Sequence, residues 1–487
     1  MLVGVILTPY ILHRLGDAAM GLWLLLTTFT GYYGLLDLGV RNSIIRFVAR
    51  FDAQKDSDNL SRVISTGFTV YGVVAAILCL ITLFVAFRVD SIFKLTPEWV
   101  QTAKLLMLMV GWGTAISLLL GTFGGVLEGL QQYAWVGGVQ AAAALTRAGL
   151  IVFFLNYGAG ILAVAAVTMS VNILSGLVYA IVTFKNRVNL RICLDGVETR
   201  TLRMLISFGM VTFWIGISDN LRFYANEILV GMFLSLPAVT MFAISSRLVR
   251  YSMDIVQAMT QVLTPLSSAL DAGGDLARLR QVFIVGNRYA SLVMLPLALL
   301  FLISGKTIIR VWVGAQYEGS YLILCLLMLP TALYMSQAVS PKILYGIGKH
   351  QKMAQVLMAE GIAKIILSIV FLRWFGISGV AAGTTVSLAA TSLFFFPRHL
   401  CRILHVPIRD FLREAYFYPI LLNVPFAVVL AMVDSLVNAQ GWNGLLFTIA
   451  CSGLVYALVL IAYLATKERK VLQAVPGFAG LWSDSGK

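Results

Sequence analysis

Five basic side chains, Arg147, Arg222, Arg247, Arg250 and Lys364, stand in segments whose other residues are almost all apolar. A cation at such depth in a bilayer costs about 2.5–3.5 kcal/mol even on the lenient insertion scale, so each needs a counter-charge, a polar wall or a bound anion. The acidic residues of the same segments are Asp219, Glu227, Asp254 and Glu360, with Asp37 near a segment end. In SSRLVRYSMD (245–254), Arg247, Arg250 and Asp254 fall within about 60° of arc on a helix that turns ~100° per residue. Two guanidiniums one turn apart form a fork suited to phosphate oxygens. Arg250 and Asp254 also have the i,i+4 spacing of an internal pair, which leaves Arg247 without a partner on its own helix.

SDNLRFYANE (218–227) repeats that geometry. Asp219, Arg222 and Asn226 share a face, and Glu227 is turned away by roughly 100°. Asp219 and Arg222 can neutralise each other, or Arg222 can complete a basic cluster. Lys364 follows Glu360 by four residues in the favourable order for a pair, whereas Arg147 has no acidic neighbour on its helix. The chemistry on offer is therefore non-covalent capture of an anion such as a diphosphate by Arg247, Arg250 and Arg147, with Arg222 and Lys364. Glu227, Asp219 and Asp254 are the candidates for ion or proton coupling. Catalysis finds no support. His13, His350, His399 and His405 are isolated, and Cys79, Cys193, Cys325, Cys401 and Cys451 are scattered without metal or disulfide spacing. Gly346 to Lys349 lacks the phosphate-loop spacing. No enzyme, cofactor or metal is expected.

The segments that must position these residues are membrane helices. Of 487 residues 59% are hydrophobic and 12% charged, too apolar for a soluble domain. The apolar runs have helical length, which favours an all-α polytopic bundle over a β-barrel. About fourteen spans are expected, near 1–12, 20–40, 63–87, 100–122, 137–155, 160–184, 205–234, 239–263, 284–304, 321–341, 353–373, 377–397, 416–434 and 444–465. The first covers about 18 Å at ~1.5 Å per residue, against the ~30 Å of a bilayer core, and is expected to be the second half of a helix starting further upstream. The net charge of +14 is an orientation signal and does not call for a nucleic-acid partner. With the loop 41–62 placed in the cytoplasm, and with Lys104, Arg288 and Arg373 near span ends counted with their adjoining loops, the cytoplasmic loops hold 24 Lys and Arg and the opposite loops 7. Both termini are then cytoplasmic. The segment 398–415 has the pattern of a basic interfacial helix that docks on anionic lipid.

The chain repeats itself. VLEGLQQYAWVGGVQAAAALTR (126–147) aligns without gaps to ILYGIGKHQKMAQVLMAEGIAK (343–364) at an offset of 217. LGDAAMGLW (15–23) aligns to LSLPAVTMF (234–242) at 219. Six spans per copy keep both copies in one orientation, as in transporters built from parallel repeats. The expected domains are an N-terminal lobe at 1–190, a C-terminal lobe at 200–400, an additional helix pair at 410–466 and a cytoplasmic tail at 467–487. Arg147 and Lys364 are repeat partners, and basic groups at equivalent sites would face each other. Pro265, Pro296, Pro330 and Pro425 lie within or beside spans, where they break backbone bonds and can act as hinges.

PYILHRLGDAAMGLW (9–23), GLLDLGV (34–40), GVLEGLQQY (125–133), MFAISSRL (241–248), VWVGAQY (311–317) and GVAAGTTVS (379–387) together resemble the Wzx-type polysaccharide and O-antigen flippases, of the superfamily that also holds MATE exporters and MurJ lipid II flippases. The likeness covers roughly residues 1–400. It implies two six-helix lobes in a V around a central cavity, with an added helix pair as in MurJ. It also implies that Arg247, at the basic position of ISSRL, faces that cavity. The expected function is translocation of a polyprenyl-diphosphate-linked oligosaccharide across the bacterial inner membrane for lipopolysaccharide or other polysaccharide synthesis. The expected partners are that lipid, the phospholipid bilayer and envelope-assembly proteins such as a glycan polymerase. Two other readings stay open: a MATE-like exporter of small cations, which needs an uncommitted buried carboxylate, and a membrane scaffold without transport.

Overall fold

The computed structural model describes residues 2–37, 39–186 and 198–467. Cys193 and the tail after 467 lie outside the described residues. In chain order the helices are α1 (Leu2–Gly31), α2 (Val40–Ala53), α3 (Ser57–Phe87), α4 (Pro97–Gly129), α5 (Tyr133–Asn156) and α6 (Ile161–Asn186). Then come α7 (Thr199–Phe223), α8 (Ala225–Phe233), α9 (Leu236–Thr260), α10 (Leu263–Ala272), α11 (Leu276–Ile303) and α12 (Gly305–Val313). The chain ends with α13 (Tyr321–Met335), α14 (Val339–Gly346), α15 (Gln351–Phe375), α16 (Ile377–Leu404), α17 (Ile408–Val437) and α18 (Trp442–Lys467). No strand occurs among the described residues.

All fourteen expected segments fall on helices. Among the described residues, eleven helices are long and apolar enough to cross a bilayer. The segments 205–234 and 239–263 are helical but carry the charges already described, which lower their hydropathy. The first two segments form the two halves of α1, which meet at Gly16 with φ 79° and ψ 173°. That backbone region is open essentially only to glycine. The helices divide into two compact units, residues 1–243 with 354–383 and residues 244–353 with 384–487. These boundaries run inside α9, α15 and α16, whereas the repeat places its own near 190–200 and 400–410.

In the first unit α4 packs along both α3 and α6, and the short α2 lies against α3, α4 and α7. Val40, Ile44, Phe47 and Val48 bury the apolar face of α2 against Leu60, Val63, Ile64 and Val126. Close approach depends on glycine. A Cβ on Gly129 of α4 would lie 2.8 Å from Val48 Cβ and 2.9 Å from the Ile45 carbonyl oxygen. The second unit contains the equivalent contact. A Cβ on Gly346 of α14 would lie 2.7 Å from both Ser267 Cβ and the Thr264 oxygen of α10. Gly129 and Gly346 are repeat partners at offset 217, and Val48 with Ser267, like Ile45 with Thr264, are partners at 219. The duplication thus reproduces a helix-on-glycine seat, the small-residue packing typical of membrane helices.

A reciprocal contact joins α1 to α9 within the first unit. A Cβ on Gly21 would meet the Leu236 oxygen at 2.1 Å, and Thr240 Oγ1 donates to the Asp17 oxygen at 2.8 Å. Under the offset of 219, Asp17 corresponds to Leu236 and Gly21 to Thr240. The two contacts therefore exchange, as contacts across a local two-fold axis do.

In the second unit the prolines release carbonyls that neighbouring helices recover. Pro330 of α13 cannot donate to Leu326, and the Leu326 oxygen accepts from Thr385 Oγ1 at 2.5 Å. Pro296 of α11 cannot donate to Leu292, and that oxygen accepts from Tyr456 Oη of α18. Arg288 of α11 pairs with Glu414 of α17 and donates to Tyr463 Oη of α18 at 3.3 Å. The final helix pair is thereby fastened to α11 through polar bonds as well as apolar packing.

Two outcomes test this packing by thermal unfolding in detergent. Gly21→Val should destabilise by about 1–3 kcal/mol, since its side chain must displace backbone. Tyr456→Phe should cost roughly 1–3 kcal/mol, the penalty of leaving the Leu292 carbonyl without a donor.

Candidate functional site

The seventh expected span is not one helix. It is α7 and α8, with Tyr224 between them at φ −117° and ψ −9°. A helix end inside a membrane exposes last-turn carbonyls that lipid cannot satisfy. Here two side chains meet them. Tyr32 Oη donates to the Asn220 oxygen at 3.1 Å, and Lys364 Nζ of α15 donates to the Leu221 oxygen at 3.1 Å. A cation also suits the negative end of the α7 dipole. Gly361 brings α15 close enough, since a Cβ there would lie 2.9 Å from Leu221 Cβ.

The same junction holds a buried ion pair. Arg222 Nε is 2.7 Å from Glu360 Oε1, with side-chain exposures of 1% and 2%. Asp219 Oδ1 lies 3.6 Å from Arg222 Nη1 and is half exposed. Glu227, near the start of α8, is buried, and its charge acts on Lys364 and on Tyr32. The four buried groups, Arg222, Lys364, Glu227 and Glu360, sum to zero charge. Sequence spacing offers Glu360 to Lys364 on its own helix. The fold gives Glu360 to Arg222 and the Lys364 ammonium to the Leu221 carbonyl at the break in α7. Arg222 and Lys364 thus each have a partner inside the protein, although the buried Arg222 Nη2 makes no hydrogen bond.

Arg147 sits differently, although it is the repeat partner of Lys364. It is on α5, nine residues from that helix's C-terminal end, or about 14 Å along the axis. Its Nη2 donates to Asn172 Oδ1 of α6 at 2.6 Å, and its buried Nε has no hydrogen-bond partner. No carboxylate pairs with it among the described residues. The span that carries it is only 11% buried, so it presents a largely open face. Asn172 is a contact that the sequence alone does not single out; a lone amide in the adjoining span of a helical hairpin is the signal.

In the second unit Arg247 and Arg250 are half-buried on α9 and engaged by neighbouring groups. Asp254 is exposed, and the spaced pair between Arg250 and Asp254 is not formed. A further charged contact joins two motifs of the first unit. Arg41, just after GLLDLGV, pairs with Glu128 of GVLEGLQQY at 2.8 Å and reaches the Gly121 oxygen at 3.4 Å. Asp37 accepts from Tyr71 Oη and from the Arg41 amide.

Compared with known proteins, residues 15–322 match the profile of a family described as polysaccharide biosynthesis protein. The chain is 19% identical to a putative O-antigen transporter of Shigella flexneri over 391 residues, 79% of this chain and 90% of that protein. Among solved structures it resembles lipid II flippase MurJ in an inward closed conformation, with a TM-score of 0.72 and 15% identity, covering 96% of this chain and 97% of MurJ. It also resembles a multidrug resistance MATE family transporter of the MOP superfamily in an inward-facing conformation, with a TM-score of 0.68 and 16% identity over 83% of this chain and 93% of that one. The fold is that of these all-helical transporters.

Truncating Glu360 tests the junction. Glu360→Ala should destabilise by about 3–5 kcal/mol by stranding the buried Arg222 charge, and Arg222→Met with Glu360→Leu should recover most of it. Thermal unfolding of the three proteins reads both effects.

Proposed function

Because the chain belongs to the polysaccharide biosynthesis protein family, we propose that it is a flippase, not an enzyme, that carries a polyprenyl-diphosphate-linked oligosaccharide across the bacterial inner membrane. The observation that carries this reading is Arg147, a cation in a membrane span whose hydrogen-bonding partner is a neutral amide. A guanidinium held by one bond to Asn172 keeps its remaining donors for an anion, and a diphosphate offers oxygens at the matching spacing. Such a bond is electrostatically strong where water is scarce and, being non-covalent, is released without chemistry. The names of the Shigella relative and of MurJ point to the same class of cargo.

Arg247 and Arg250 are proposed as further anion contacts, each to be tested separately. The count of basic residues in the loops supports cytoplasmic termini. A glycan polymerase is the proposed protein partner, since a translocated glycan must next be extended. Export of small cations fits less well: Glu360 is committed to Arg222, and Glu227 neighbours Lys364.

Charge reversal tests the reading. Arg147→Glu should lower surface polysaccharide on the order of tenfold to a hundredfold, the effect of losing a charge-assisted hydrogen bond of roughly 1.5–3 kcal/mol, at unchanged protein level in the membrane. Lipid-linked glycan should accumulate in the cytoplasmic leaflet. Normal surface glycan at normal expression would remove Arg147 from the site.

A further inference from the structure

In broken membrane helices, unwound carbonyls and the C-terminal ends of half-helices are where small cations are held. The break between α7 and α8 has these parts. The Leu221 carbonyl lies there, with the Asn220 carbonyl, which already accepts from the Tyr224 amide and from Tyr32 Oη, and the buried Glu227 carboxylate acts on the same junction; these are oxygen donors of the type hard cations select. What stands among them is a side chain. The ammonium of Lys364 is 3.1 Å from the Leu221 oxygen, and the residue is 1% exposed.

We propose that the α7–α8 break is a monovalent-cation site whose permanent occupant is the tethered ammonium of Lys364. The buried charges make this binding. Arg222 offsets Glu360 and Lys364 offsets Glu227. Without Lys364 the buried groups that remain, Arg222, Glu227 and Glu360, sum to −1 beside the Leu221 carbonyl, a state that burial penalises. A soluble cation or a rearrangement must then supply the missing charge. A tethered cation, unlike a soluble one, cannot cross the membrane. An ion gradient therefore does no work at this junction, and Lys364 is a positioning residue that holds the broken helix in place. The inference rests on the ion cluster and not on the identity of the cargo.

The test is thermal unfolding of purified protein in detergent without cargo, in sodium chloride and in choline chloride at equal ionic strength. The Tm of the wild-type protein should be the same in both salts. Lys364→Ala should lose several degrees in choline and regain a few in sodium or ethylammonium, which enter the space left by the side chain. Lys364→Met fills that space with an apolar chain. It should lose stability and gain nothing from sodium, while Lys364→Met with Glu227→Gln, neutral again, should recover. That last pair decides the question if Lys364→Ala does not fold. The proposal is overturned by a wild-type Tm that rises with sodium as much as that of Lys364→Ala, by Lys364→Ala matching wild type in choline, or by a double variant no more stable than Lys364→Met. Since surface glycan is not measured, these outcomes are independent of the flippase reading.

Discussion

A polar group inside a bilayer must find its partner within the protein, and the junction of α7, α8 and α15 is where that demand is greatest. The helix break releases carbonyls, and Arg222, Glu227, Glu360 and Lys364 bring four charges into the same small volume. None of these is tolerable alone. Together they pair: guanidinium on carboxylate at 2.7 Å, ammonium on carbonyl at 3.1 Å, hydroxyl on carbonyl at 3.1 Å, while Arg222 Nη2 and Glu227 Oε2 make no hydrogen bond. Gly361 is the geometric condition for the two contacts that α15 makes, because a larger residue would hold α15 away from Leu221.

The same rule explains the rest of the polar wiring. Where proline releases a carbonyl in α11 or α13, a hydroxyl from α18 or α16 takes its place. At Pro296 and Pro330 the freed carbonyls therefore have defined partners. In this light the last helix pair is part of the hydrogen-bond accounting of the second unit. Tyr456, Tyr463 and Glu414 all bond to α11, so the pair is joined through side chains that lipid could not replace.

Arg147, like Lys364, has a neutral hydrogen-bonding partner. Arg41, Arg222, Arg288 and Arg310 each have a carboxylate within salt-bridge distance. Arg147 has an amide. A cation in a membrane span with a neutral hydrogen-bonding partner keeps donors for an anion, which is why the proposed transport role is placed there. The two repeat partners differ in their contacts: Lys364 donates to a backbone carbonyl and Arg147 to a side-chain amide.

The duplication was legible in the chain itself. The offsets of 217 and 219 place Gly129 on Gly346 and Asp17 on Leu236, and the structure finds matching helix seats and an exchanging pair of contacts at those positions. Hydropathy likewise determined the helical class and the placement of the spans, because a bilayer selects for apolar length and the sequence records length directly. Pairing was not legible. Glu360 stands four residues before Lys364, and Asp254 four after Arg250, yet neither pair is the contact that forms. Spacing along one helix states which groups can meet. Which groups do meet depends on the break in α7, on the close approach at Gly361 and on the neighbour that each helix receives, and these arise only when distant segments pack.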